Sequence, residues 1–242
     1  MNAARYVPLG DDLAGPVGEL DPGRRPAPGL PRVPLTAAYS RDTLLTMLGT
    51  PIKDRVAERR SATRREILDA AWEMAREEGL SQVTLRDLAG RVGMQAPSLY
   101  SHFESKNAIY DAMFAQAWTD CLEVMSAAAK TSPRGRRAAL RLYARTFFDF
   151  AVSDLARYQL MNQRTIVGFE PSAESYAIAA EVLGLLRDSL APHGVTRQED
   201  LDLCVALVGG LIDAQLANDP GGDRWGRLLN RTLDMFDHNL GN

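Results

Sequence analysis

The sequence predicts an all-α fold in two parts, a unit of three helices followed by a larger helical bundle. Three observations carry that prediction. From residue 61 onward, apolar residues recur three and four positions apart, the spacing that gathers them on one face of a helix. Residues suited to helix ends stand where these stripes start and stop, with threonines in front and glycines behind. Pro97 stands between the second and third stripes, and proline is tolerated only in a helix's first turn, where an N–H has no intrahelical partner to lose.

The elements follow in order. Thr63 with Glu66 fits a capping box, and Ile67, Ala71, Met74 and Ala75 make an apolar stripe that ends near Gly79. Thr84 caps a second, short helix in which Leu85, Leu88, Ala89 and Val92 face inward, and Gly93 stops it, where a left-handed conformation is cheapest. Pro97 then sets the start of a third helix at Gln95 or Ala96. Leu99 and Phe103, four apart, face inward, which leaves Gln95, Ala96, Ser98, Tyr100, Ser101 and His102 on the remaining surface. Two short helices joined by a glycine-containing turn of about four residues form a helix-turn-helix, whose second helix enters a DNA major groove by its N-terminal residues.

Three or four more helices are expected, over about 107–129, 136–153, 155–163 and 173–190. Leu140, Tyr143, Ala144, Phe147 and Ala151 form the stripe of one; Tyr176, Ala179, Ala180, Leu183, Leu186 and Leu190 form that of another, and RTIVGFEPSAES is the loop before it. Leu201, Cys204, Val205, Val208, Leu211, Ile212 and Gln215 repeat the pattern. Because Cys204 to Ile212 is apolar without interruption, this helix needs cover on two sides. NDPGGD breaks the chain at Asn218–Asp223, and Trp225, Leu228, Leu229, Thr232, Met235 and Phe236 form the last stripe.

Composition removes several classes of function. No run of about 18 apolar residues exists and no signal-like segment opens the chain, so neither membrane insertion nor secretion is expected, and the cytoplasm is the expected compartment. Cys121 and Cys204 sit singly inside apolar patterns and read as buried thiols; His102, His193 and His238 have no ligand-like spacing, so no metal and no cofactor is expected. A glycine-rich phosphate loop, a nucleophile elbow and a supported Ser, His and Asp set are all missing, which argues against an enzyme. The net charge is −3, but Lys53, Arg55, Arg59, Arg60, Arg64 and Arg65 crowd one segment against only Asp54 and Glu58. Two readings of that block stay open, a phosphate-facing patch and a solvated helix end. Residues 1 to about 50 are rich in Pro and Gly and lack periodicity, so residues 1–52 are expected to be a disordered extension. Met47 opens a segment that leads straight into the first helix, which leaves open whether residues 1–46 are native or translation starts at Met47.

VTLRDLAGRVGMQAPSLYSHFESKNAIYDAM, with its Thr-x-Arg-x-Leu-Ala opening, its Gly before the turn, its Leu-Tyr-x-His-Phe core and its Ser-Lys, resembles the DNA-binding segment of TetR/AcrR transcriptional regulators, over about residues 60–114. The resemblance implies that Tyr100 and Lys106 contact phosphates, a role that a phenol O–H and an ammonium both suit. Gln95, Ser98 and Ser101 are expected at base edges, Gln favouring adenine. Thr84 and Arg86 are placed at the DNA backbone, although Arg86 has Asp87 and Glu104 as alternative partners. His102 is either a phosphate donor or a spacer against the fourth helix, and Pro97 completes the set. Ala96 stands where a base-reading polar side chain is common in the family, so the operator sequence is not legible.

Specific binding by so small a module calls for a dimer matched to a palindromic operator. The expected interface, a four-helix arrangement of the last two helices with their copies, draws on Val205, Val208, Leu211, Ile212, Trp225, Leu228, Leu229, Thr232 and Phe236; the alternative is a purely intramolecular pair. Cys121, Met125, Phe147, Phe148, Met161, Asn162, Phe169 and Tyr176 are candidate lining for a small-molecule pocket. The expectation is therefore a helix-turn-helix DNA-binding domain at 53–106 and a ligand-binding and dimerisation domain at 107–242. Together they form a homodimeric regulator, a repressor released from double-stranded operator DNA by an apolar or amphipathic effector. The alternative is a ligand-independent architectural DNA-binding protein.

Overall fold

A computed structural model describes residues 55–131 and 133–240. The expected disordered extension, the possible start at Met47 and Lys53 of the basic block lie outside the described residues. The chain divides into two compact units at residues 61 and 62. Of the first, only the exposed helical segment 55–61 is described. The second contains the helix-turn-helix and the bundle.

Helix α1 spans Arg55–Glu78. Thr63 and Glu66 therefore do not form its cap, contrary to expectation, because the helix begins more than two turns earlier. The residues in front, RVAERR, have good helix propensity and carry the helix back past the capping pair. The expected stripe is buried: Ile67, Ala71, Met74 and Ala75 are at most 2% exposed.

Helix α2, Leu85–Arg91, starts where Thr84 accepts a hydrogen bond from the Asp87 N–H at 3.2 Å. Gly93 stops it with φ 65°, a conformation strained for any side chain. Helix α3, Ala96–Leu99, has Gln95 at its N-cap and is a single turn. Turns follow it, held by the N–H groups of His102 and Phe103 donating to the Leu99 carbonyl.

Helix α4, Lys106–Ala129, is capped by Ser105, whose hydroxyl accepts from the Ala108 N–H. Helices α5 (Arg136–Val152), α6 (Leu155–Asn162) and α7 (Ala173–Leu190) pack around it, α7 along much of its length. Helix α5 in turn carries α8 (Gln198–Asn218) and α9 (Leu229–Asn239). A Cβ at Gly226 would stand 3.0 Å from the Phe148 ring, so a larger residue there would require that ring to shift by a few tenths of an ångström. Gln215, 1% exposed, falls on the stripe of α8 but is more than a core residue. Its Oε1 accepts from the N–H groups of Trp225 and Gly226 at 2.8 and 3.2 Å, fastening the α8–α9 connection. The described residues contain no strand, and no helix among them is long and apolar enough to cross a membrane.

Candidate nucleic-acid interface

The reading surface exists because two side chains are removed from it. Leu99 and Phe103 are 0% and 2% exposed, and they anchor α3 and the turn after it to the core formed with Ile67, Leu80, Leu88 and Ala89. Burial of that pair leaves Gln95, Pro97, Ser98, Tyr100 and Ser101 exposed along one short ridge, with the Tyr100 ring 53% accessible. Among the described residues, Gln95, Ser98 and Tyr100 have no side-chain hydrogen bond elsewhere in the chain, and Arg86, exposed on α2, has no ion pair. The alternative partners Asp87 and Glu104 do not engage it. These four groups are chemically uncommitted.

The remaining candidates are partly occupied. The Thr84 hydroxyl donates to the Asp87 carboxylate at 2.6 Å while accepting from its N–H, so Thr84 serves the cap of α2 and has no proton left for a phosphate. The Ser101 hydroxyl donates to the Ser98 carbonyl at 2.7 Å. Lys106 donates to the Ser81 carbonyl at 3.2 Å, which uses one of its three N–H groups and leaves two. Ala96 is half-buried against the core. His102 is half-buried with Nδ1 enclosed and unpartnered, so only its other ring nitrogen is available to a phosphate.

One member of the basic block is turned to another use. The Arg64 guanidinium lies 4.0 Å from the Phe103 ring centroid and donates to the His102 carbonyl, bracing the turn after α3. Charge counting alone could not separate that role from phosphate binding; a cation spaced to meet an aromatic residue from another element is not visible in one-dimensional periodicity.

The eight pocket candidates do not converge on one spot. Cys121, Met125, Phe148 and Met161 are buried in the core, and Phe147 and Phe169 are half-buried against it. Asn162 is exposed and bonds back to the Tyr158 carbonyl, and Tyr176 is 44% exposed. Phe169 packs on Tyr110, ring centroids 5.6 Å apart, whereas Met125 lies about 22 Å further along α4 at 1.5 Å per residue. Phe148 faces the turn before α9. Burial pushes the Cys121 thiol up to about 12 and the Cys204 thiol up to about 11, so both stay protonated. An open cleft of about 390 Å3, which the sequence did not signal, lies elsewhere. Asp69, Trp72, Glu73 and Arg76 of α1, Gln116 and Asp120 of α4, and Arg157 of α6 line it. There the Trp72 N–H donates to Gln116 at 3.0 Å, and burial holds the Asp120 carboxyl above its ordinary range against the pull of Arg157.

The dimer candidates also divide. Val208, Ile212, Leu229 and Phe236 are 0–6% exposed within a single chain, so they support their own fold and cannot form an outward seam; this corrects the expectation for those four. The apolar side chains that do face outward on α8 are Leu203 (57% exposed) and Leu207 (39%), with Ala206 and Gly210 beside them, and Met235 (63%) does so on α9. Val205, Leu211, Trp225, Leu228 and Thr232 are intermediate. Which side of an all-apolar helix faces its own chain depends on the neighbouring helices, which periodicity does not report.

The chain is similar to known proteins in sequence and in fold. The profile for bacterial regulatory proteins of the tetR family matches residues 67–113. Over 186 residues the chain is 28% identical to the tetracycline repressor protein class A from transposon 1721 of Escherichia coli, covering 71% of this chain and 79% of that protein. It is 29% identical over 122 residues to the transcriptional activator FasR of Mycolicibacterium smegmatis, covering 50% of this chain and 55% of FasR, so it spans about half the length of that relative. In fold it is similar to the TetR family transcriptional regulator PfmR from Thermus thermophilus, with a TM-score of 0.53, 19% identity, and coverage of 70% of this chain and 96% of that one.

Proposed function

We propose that this chain, whose residues 67–113 match the model for bacterial regulatory proteins of the tetR family, is a DNA-binding regulator of that kind and not an enzyme, acting as a homodimeric, sequence-specific repressor in the cytoplasm on a palindromic operator. The observation that carries the reading is the uncommitted set Arg86, Gln95, Ser98 and Tyr100, displayed on a helix-turn-helix whose apolar residues are consumed by the core. Arg86, Tyr100 and Lys106 fix the register on phosphates, and Gln95 and Ser98 meet base edges. The outward apolar residues of α8 and α9 support pairing of two chains, which sets the spacing of two half-sites.

An apolar or amphipathic small molecule is the proposed effector, seated among the core side chains of α4 to α7. Met125 and Met161 are the groups there best able to yield to it, since unbranched thioethers repack easily. Release follows if the ligand favours a state in which the two reading heads no longer match the half-sites, and reciprocity then requires operator DNA to weaken ligand binding by the same factor.

The test is binding to a duplex selected from random-sequence DNA by the unaltered protein, measured over a range of salt. The logarithm of the affinity falls linearly with that of salt, and Arg86→Ala or Lys106→Ala lowers the slope by about 0.9 for each phosphate no longer neutralised. Salt-independent binding, or slopes untouched by both substitutions, would overturn the assignment.

A further inference from the structure

The first two turns of α4 are held from two sides. On one side the Tyr110 hydroxyl donates to the Leu80 carbonyl at 2.5 Å and Lys106 donates to the Ser81 carbonyl at 3.2 Å, tying α4 to the connection between α1 and α2. On the other side Asn107 donates to the Gly168 carbonyl at 3.1 Å, and Tyr110 meets the Phe169 ring. The Asp111 carboxylate accepts three hydrogen bonds, from the Ser172 N–H at 2.7 Å and from the hydroxyls of Ser172 and Ser175, each at 2.9 Å. Residues 107, 110 and 111 share one face of the helix, so a single turn joins the α6–α7 loop and the start of α7 to the DNA-reading unit.

Building on the DNA-binding reading above, we propose that Asp111 is a positioning residue for operator binding, acting as a latch between α7 and the second turn of α4. Capping of α7 does not need it, because the Ser172 hydroxyl already accepts from the Ser175 N–H. What Asp111 adds is a charge-assisted tie to a second helix, and that helix is the one attached directly to the reading ridge through Ser105 and Phe103. With the latch closed, α4 and α7 move together, and the Leu80–Ser81 carbonyls follow α4. With it open, α4 can tilt without α7, and the two heads sample more than the one separation that fits both half-sites. Asp111 itself touches no DNA.

Full-length Asp111→Ala, Asp111→Asn and Ser172→Ala proteins are titrated with the same selected duplex over a range of salt, the active fraction being set by stoichiometric titration. Asp111→Ala is expected to lose affinity on the order of tenfold, within the range of ordinary coupling between sites, with an unchanged salt slope. Removal of a phosphate-binding group would change that slope. Asp111→Asn keeps a carbonyl acceptor for the Ser172 N–H and is expected to lose less, and adding Ser172→Ala to Asp111→Ala costs little more, since the tie is already gone. If Asp111→Ala does not fold, Ser172→Ala carries the test alone, with a loss of a few fold at unchanged slope. Binding by the variants equal to that of the unaltered chain, or a reduced slope, overturns the inference and leaves the functional reading intact. Failure of the unaltered chain to bind any duplex overturns both.

Discussion

The ridge from Gln95 to Ser101 and the outward side of α8 are both surfaces left over once the core has taken what it needs, yet they have opposite chemistry. On the ridge, burial of Leu99 and Phe103 consumes the apolar residues and leaves amide, hydroxyl and phenol groups outside. On α8, burial of Leu201, Cys204, Val208 and Ile212 still leaves Leu203 and Leu207 exposed, because the run is apolar all round. The first surface can exchange water for phosphates and base edges, while the second gains only by meeting another apolar surface. Two exposed faces of one chain thus point to two kinds of partner, and substitutions can separate them.

The largest expected effect comes from neighbouring residues on α8. Val208→Asp places an unpaired carboxylate in the core, at a cost of several kcal/mol, and is expected to abolish cooperative unfolding followed by circular dichroism. Leu207→Asp, one residue away on the exposed side, is expected to leave a folded chain that sediments as a monomer. Equal behaviour of the two variants would erase the distinction between core and seam.

Substitutions on the ridge are expected to act on sequence preference and not on folding. Gln95→Ala removes an amide that suits adenine and is expected to alter discrimination among operator variants by about 1–3 kcal/mol, with Ser98→Ala costing less; competition binding on a panel of duplexes measures both. Tyr100→Phe is expected to weaken all duplexes alike. A Gln95→Ala protein with an unchanged ranking of duplexes would show that the ridge positions the protein without reading bases.

The smallest effect concerns the two thiols. Both have folded-state values above the ordinary thiol value, at about 12 and about 11, so the unfolded chain releases their protons first as pH rises. Their contribution to stability is complete below about pH 8.5 and diminishes as pH climbs through 11 and 12. Urea unfolding at about pH 8 and about pH 10 is expected to show a modest loss at the higher pH, less in a Cys121→Ser, Cys204→Ser chain than in the unaltered one if each folds. Rapid alkylation of the folded protein at about pH 8 would contradict the burial of these thiols.

By itself the sequence determined the helical class, the approximate bounds of the helices and the order of residues along the reading ridge. Those properties are local: Thr84, Gly93 and Pro97 act within a turn of themselves, and Leu99 and Phe103 are related by a single helical repeat. Start signals can still mislead, as Thr63 and Glu66 do, when the residues in front have helix propensity enough to continue. Only the tertiary structure decided which flank of α8 faces its own chain, that the eight pocket candidates do not converge, and that Arg64 braces a turn. It alone brought Asp111 to Ser172 and Ser175, more than 60 positions away. Each of these depends on where another helix lies, and hydrophobic periodicity states that a face is buried without stating against what.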